Sequence, residues 1–391
     1  MDNNISTSVV VDKTNNTIET NKCITGNESV LVKELEILTI LYNELKSKQL
    51  TENKELINSG NKNHYFNLEE DPTNHYTFFP IRNQKYYDHY KKQLAVFWTV
   101  EEVQLAQDKD DFNGKLSATE REFIRNILAF FAASDGLVAE NLDLNFTQEL
   151  TYKEVATCLR FQGMMEDIHG EMYSRMVDNL IPDRLEQNRV LNAINTIPCV
   201  GKKARWAQKW TNRADNDIQE RIVAWACVEG IQFSGSFCSI MWLGKRNLMP
   251  GLQQANQFIR RDEGSHTDTS VMLYNDLRTE YRLPEQRVHQ IVREALEVEK
   301  EFILESIPCA MLGMNAGLMS QYLEYVSDRL LVQLGYSKIW NAANPFDFME
   351  TISIETKTNF FERQVTEYNK SGVATSDADR TLSFNLEDED F

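Results

Sequence analysis

Proline and glycine are scarce in this chain, at 8 and 16 of 391 residues, which excludes collagen-like, elastic and mostly disordered classes. A basic excess is also missing. The net charge of -18 argues against a general affinity for DNA, RNA or anionic lipid surfaces, so neither nucleic acid nor membrane is an expected partner. No apolar run reaches the roughly 18 residues that a membrane helix needs. The N-terminal stretch MDNNISTSVVVDKTNN lacks the basic start and apolar core of a secretory signal. It carries acids and no Arg, unlike a mitochondrial transit peptide, so the expected location is cytoplasmic. None of the six cysteines (Cys23, Cys158, Cys199, Cys227, Cys238 and Cys309) forms a CxxC pair, and most lie in apolar segments. Neither a disulfide framework nor a zinc site is expected. P-loop and Gly-x-Gly-x-x-Gly signatures and alternating strand patterns are missing too.

What remains is helical. Residues 1–62, rich in Asn, Thr, Ser and Lys, read as a mobile N-terminal extension, with one amphipathic helix candidate at Val30 to Lys48. From Tyr65 to Ile81 the chain is aromatic and Pro-punctuated, as an arm laid over a core would be. Residues 63–345 form the expected core, 346–370 a C-terminal segment lying on it, and 371–391 a disordered acidic tail. Ser117–Glu120 and Thr151–Glu154 match the capping box, predicting helices to about Phe146 and Leu180. Further helices are predicted over about Asp217 to Trp242, Leu252 to Leu277, from Pro284 onward, and Gly317 to Leu334. The fold class is therefore all-α, a helical bundle.

Charges stand where these helices should be dry. Asp135 lies in AFFAASDGLVAENL and Glu229 in VAWACVEGIQFSGSF. Glu166 and His169 lie in FQGMMEDIHGEMYS, and Glu263 and His266 in FIRRDEGSHTDTS. A carboxylate buried among Phe, Ala, Val and Trp costs several kcal/mol unless it is paired, hydrogen-bonded or metal-bound. Several such groups on separate helices call for a common partner, and a metal pair supplies one. Residues i and i+3 share a helix face, so each Glu-x-x-His offers one oxygen and one nitrogen in the same direction. One carboxylate from each of two helices plus Glu-x-x-His from two others is the ligand pattern of ferritin-like di-iron carboxylate bundles. Oxygen donors with imidazole suit iron or manganese. Two Glu-x-x-His matches alone are a weak signal; their placement beside two further acids on apolar helices is the strong one. Tyr173 falls four residues after His169 and seven after Glu166, on the same face. A phenol beside an oxygen-activating metal pair can be oxidised by one electron, although a core Tyr accounts for the position equally well.

The segments FWTVEEVQLAQD, LAFFAASDGLVAENL, EDIHGEMYS, VEGIQFSGSF, KRNLMPGL, RDEGSH and NPFDFMETISIETKTNFFE give the chain from about Phe66 to Phe391 a family likeness. It resembles the small, radical-generating subunit of class I ribonucleotide reductase of the eukaryotic type. The resemblance implies a ferritin-like bundle with additional helices holding two Fe ions per chain, oxo-bridged when oxidised. The implied ligands are Asp135, Glu166, His169, Glu229, Glu263 and His266. Tyr173 matches the tyrosine that holds the stable radical, and Phe233, Phe237 and Ile259 match the apolar wall around it. Trp98 and Asp262 match the start of the electron-transfer route, with Asp262 bonded to His169. Tyr368 matches the tail tyrosine that passes the radical on. The implied partners are a second copy, as a homodimer, and the large catalytic subunit, which reduces ribonucleoside diphosphates and receives the acidic tail. A di-iron oxygenase, a ferritin-type storage protein and a metal-free structural paralogue are the alternatives. The last would be marked by lost ligands, and none is lost.

Overall fold

The computed structural model describes residues 65–70, 77–306, 316–346 and 349. The expected extension over residues 1–62 with its Val30 to Lys48 helix, the acidic tail, Tyr368, His64, His75, Cys23 and Cys309 lie outside the described residues. So does all but a few residues of the 346–370 segment.

Among the described residues there is no strand, only an isolated antiparallel bridge between Phe66 and Leu277. The longer helices among the described residues are α1 (Gln84–Ala95), α2 (Ala106–Gly114), α3 (Ala118–Asn141), α4 (Lys153–Leu180), α5 (Arg184–Leu191) and α6 (Pro198–Thr211). They continue with α7 (Ile218–Cys227), α8 (Ser234–Gly244), α9 (Pro250–Asn275), α10 (Glu285–Ser306) and α11 (Ala316–Gln333). Helix α3 packs chiefly against α4, and α9 against α7, so the four charged segments face one interior. The all-α bundle is as the hydrophobic periodicity predicts. Among the described residues, no helix is long and apolar enough to cross a membrane.

Local chemistry starts some of these helices. The Ser117 hydroxyl accepts from the Glu120 amide at 3.2 Å, and Glu120 accepts in return from the Ser117 amide at 2.7 Å. The predicted box at Thr151 does not form; Tyr152 takes the N-cap of α4. The Glu154 carboxylate accepts instead from the Arg82 amide at 2.9 Å and the Asn83 side chain at 3.1 Å, tying the start of α1 to α4. The helix expected over Asp217 to Trp242 is interrupted by a wide π turn, Val228–Gln232, which separates α7 from α8. A second π turn, Leu142–Phe146, prolongs α3.

Helix α9, which carries Glu263 and His266, is set by two acids on α2. Asp108 accepts from the amides of Gly251 and Leu252 at 2.8 and 2.6 Å, and Asp111 from the Met249 amide at 2.8 Å. Carboxylates at a helix N-terminus satisfy its free donors and complement its dipole. Gly251 is required there, because a Cβ would sit 2.4 Å from the Gln104 carbonyl oxygen. The aromatic arm begins as predicted: Phe66 is buried, and Tyr65 accepts from the Arg278 amide at 2.9 Å.

Candidate metal centre

Asp135 comes from α3, Glu166 and His169 from α4, Glu229 from the wide turn after α7, and Glu263 and His266 from α9. All six are buried. Asp135, Glu166 and His169 each offer a ligand atom within 4.8 Å of the others, and so do Glu166, Glu229, Glu263 and His266. Glu166 belongs to both sets and stands between them. Its two oxygens lie 3.2 Å from His169 Nδ1 and 2.9 Å from His266 Nδ1. Glu263 repeats the arrangement, 3.1 Å from His169 Nδ1 and 3.2 Å from His266 Nδ1.

The electrostatics are those of a cation site. Burial opposes a charge on His169, but the carboxylates of Asp262, Glu166 and Glu263 outweigh it and hold the imidazole well above its ordinary range. Against the same burial, Glu166 and Glu263 raise His266 to about 10. Burial, reinforced by Glu166, pushes Asp135 well up; burial, reinforced by Glu263, does the same to Glu229. Both Asp135 oxygens and Oε2 of Glu229 are buried without a hydrogen-bond partner among the described residues. Such atoms cost about 1–3 kcal/mol each when unsatisfied. Two protonated imidazoles thus offset part of the charge of a carboxylate cluster that still holds unbonded oxygens. Divalent cations would fill that role, and the oxygen and imidazole donors fit iron or manganese.

Neighbours one turn away orient the ligands. Trp225 Nε1 and Gln162 Nε2 both donate to Oε1 of Glu229, at 2.7 and 2.9 Å. Neither was expected from the sequence, although each lies four residues before a ligand: Trp225 before Glu229, and Gln162 before Glu166. Asp262 Oδ2 lies 3.3 Å from His169 Nε2 and accepts from Trp98 Nε1 at 2.7 Å, so one oxygen joins the indole to the imidazole. The Trp98 ring is stacked on His169, with centroids 6.0 Å apart and planes at 21°. Burial would raise Asp262, but His169 and Arg261 hold it below its usual range, so it stays ionised.

Tyr173 is buried, and its hydroxyl has no hydrogen-bond partner among the described residues. Burial, together with Asp135 and Glu263, holds its phenol well above 10. Its ring stacks on Phe131, with centroids at 4.7 Å and planes at 15°. Phe237 and Phe233 lie behind Phe131 at 5.1 and 5.8 Å, and Ile259 is buried on α9. Phe131, one turn before Asp135, was the member of this wall that sequence reasoning missed. Glu229 and Glu263 also line a cavity of about 480 Å³ that takes in Arg260, Arg329 and the exposed Lys92.

The model of one protein family, "Ribonucleotide reductase, small chain", matches residues 75–345. This sequence is 50% identical over 318 residues to the ribonucleoside-diphosphate reductase small chain of Nicotiana tabacum, covering 81% of the present protein and 95% of that relative. It is 48% identical over 328 residues to the corresponding protein of Neurospora crassa, covering 83% and 79%. Among solved structures it is similar to the ribonucleotide reductase Rnr4 homodimer from Saccharomyces cerevisiae, with TM-score 0.68, 35% identity, and coverage of 84% of the present protein and 99% of that one.

Proposed function

The protein belongs to the family of ribonucleotide reductase small chains, and from that premise we propose that its six buried ligands hold two iron ions and that Tyr173 carries the radical. Its activity is that of the oxidoreductase small subunit of ribonucleoside-diphosphate reductase, a family that works through a di-iron centre and a tyrosyl radical. The observation that supports the residue assignment best is the set of oxygens on Asp135, and Oε2 of Glu229, without a hydrogen-bond partner among the described residues, beside two Glu-x-x-His pairs, with a sealed phenol on the same helix as one pair.

When bound, the metal pair supplies the oxygen-dependent, one-electron oxidising power. The protein's own residues do the rest. Asp135, Glu166 and His169 would hold the metal together with Glu229, Glu263 and His266. Phe131, Phe233, Phe237 and Ile259 keep water and reductants from Tyr173, which prolongs the life of a radical there. The high pKa keeps the phenol's proton in place until the electron leaves. Asp262 fixes the His169 ring and raises its basicity. Trp98, sharing an Asp262 oxygen with that ring, begins the route by which the radical equivalent leaves; Tyr368 continues it toward a cysteine of the large catalytic subunit, which reduces ribonucleotides to deoxyribonucleotides. The acidic tail, residues 371–391, docks that subunit, and the working form is a cytoplasmic homodimer. Iron is preferred to manganese because the relatives matched at about half identity are eukaryotic. The presence of all six ligand residues disfavours the metal-free paralogue, and no observation favours an oxygenase or a storage protein.

Electron paramagnetic resonance tests the reading, on metal-stripped protein reconstituted with ferrous iron and oxygen beside Tyr173→Phe. The expected result is an organic radical signal that vanishes in the variant. Iron uptake without a radical would overturn the role of Tyr173. No iron uptake would overturn the ligand set.

A further inference from the structure

One buried ion pair is not used by the mechanism above. Lys203 on α6 and Glu299 on α10 are 1% and 0% exposed, and Lys203 Nζ lies 2.5 Å from Glu299 Oε2. A fully buried pair is weak evidence for stability, because desolvation offsets most of the attraction, and apolar residues of similar volume are often as stable or more so. The pair therefore calls for another reason to be there.

Its surroundings supply one. The same ammonium donates to the main-chain oxygen of Gln232 at 2.5 Å. Gln232 is the last residue of the wide turn, Val228–Gln232, that presents Glu229 to the metal centre. A π turn departs from the regular helical ladder, and such turns are found mostly at functional sites. The exit of this turn is held from several sides: Ser234 Oγ donates to the Ile231 carbonyl at 2.7 Å, and Lys203 to Gln232. Glu299 closes the far side. A Cβ on Gly235, in the first turn of α8, would lie 2.6 Å from Glu299 Oε1, so carboxylate and backbone are in close approach. Lys203 Nζ also sits 3.3 Å from the centre of the Phe130 ring and 4.2 Å from that of Phe302. Phe130 in turn lies 5.4 Å from Phe233 in the wall beside Tyr173. The ammonium is thus fixed at the point where the ligand-bearing turn, α8 and the radical's apolar wall meet.

We propose that the Lys203–Glu299 pair is a positioning device for Glu229: Lys203 clamps the Gln232 carbonyl, Glu299 braces Lys203 against the start of α8, and together they keep the wide turn from relaxing to regular helix. This rests on the reading of Glu229 as a metal ligand. Lys203 and Glu299 touch neither metal nor Tyr173; they act through the turn. The burial that lowers Lys203 to about 8 and raises Glu299 to about 7 agrees with a pair kept at a cost to stability.

The test replaces the pair with apolar residues of similar size, Lys203→Met with Glu299→Leu, in the full-length protein. Three quantities are read in wild type and variant: the thermal midpoint without metal, the stoichiometry and affinity of anaerobic Mn(II) binding, and the radical yield per iron after reconstitution. The expected result is an unchanged or higher midpoint, a loss of at least about tenfold in affinity at one of two metal positions, the size of loss typical when a ligand's supporting partner is removed, and a lowered radical yield. Glu299→Gln, which still offers Lys203 an acceptor, is expected to restore both near wild type. Should the double variant fail to fold, Lys203→Gln alone must show the same loss at one metal position. Wild-type metal binding and radical yield in a folded variant lacking the Lys203 ammonium would overturn the proposal. If wild type itself binds no Mn(II), the ligand reading fails first, a result distinct from failure of the positioning role.

Discussion

Replacing Asp135 by Leu is expected to stabilise the protein without metal and to destabilise it relative to wild type with metal. Leucine has the branched shape of aspartate, with methyl groups where the two oxygens stand. Both oxygens are buried and have no hydrogen-bond partner among the described residues. Burial, with Glu166 nearby, keeps the carboxyl protonated well above its usual range, so the loss on replacement is a neutral, unsatisfied polar group, not an ion pair. Removing such a group is worth about 1–3 kcal/mol. For a core of this size, each kcal/mol moves the thermal midpoint by about 2–4 °C, giving an upward shift of about 2–12 °C. Metal reverses the order. A ligand that binds only the folded state at about a thousand times its dissociation constant adds about 4 kcal/mol, and the variant lacks one of the groups that would collect it. Melting curves of chelator-treated protein, repeated with increasing Mn(II) under anaerobic conditions, should therefore cross. A metal-free variant that melts several degrees below wild type would refute the reasoning, because Asp135 would then have a satisfied structural role. Failure of Mn(II) to raise the wild-type midpoint would refute it as well.

Two further outcomes follow from the same geometry. Asp262→Asn leaves a partner for Trp98 but removes the charge that holds the His169 ring; metal affinity should fall by about 10–100-fold, read by Mn(II) titration, and an unchanged affinity would remove Asp262 from the supporting role. His266 is raised from 6.5 to about 10 in the metal-free protein, burial notwithstanding, by Glu166 and Glu263, and Asp135 and Glu229 are raised by burial. A histidine whose folded pKa is raised by acidic partners stabilises fully below its unfolded value and loses that contribution as pH rises, and a carboxyl whose pKa burial has raised adds a cost to the fold as it ionises. The metal-free midpoint should accordingly fall between pH 6.5 and about 10, while metal uptake, which must displace these protons, strengthens over the same interval and releases protons to an indicator dye.

Much of the site was legible because it is local. Glu166 and His169, or Glu263 and His266, share a face by the helical repeat alone, and an acid among Phe, Ala and Trp announces itself in one dimension. The partners one turn away, Phe131, Gln162 and Trp225, obey the same spacing and were passed over because aromatic and amide side chains on an apolar face read as core. Helices α1, α2, α5 and α6 were not individually anticipated. The sequence of α2, AQDKDDFNG, has no apolar stripe, because Asp108 and Asp111 are spent on the first amides of α9, 138 to 144 residues away. The capping box expected at Thr151 gave way for a similar reason, its Glu154 being drawn to Arg82 and Asn83 about 72 residues earlier.

By itself the sequence determined the all-α class, the helices bearing ligands and the direction in which each Glu-x-x-His pair points, since all of these follow from the period of a helix. Tertiary structure alone decided that Glu166 and Glu263 each reach both imidazoles, that one oxygen of Asp262 serves both Trp98 and His169, and that Asp135 and one oxygen of Glu229 find no hydrogen-bond partner among the described residues. It also decided that the helix expected through Glu229 opens into a wide turn held by a lysine 29 residues earlier and a glutamate on α10. These contacts join helices whose separation along the sequence carries no period. They depend on how faces pack and on which buried charge finds which donor, and no spacing along a single helix encodes that.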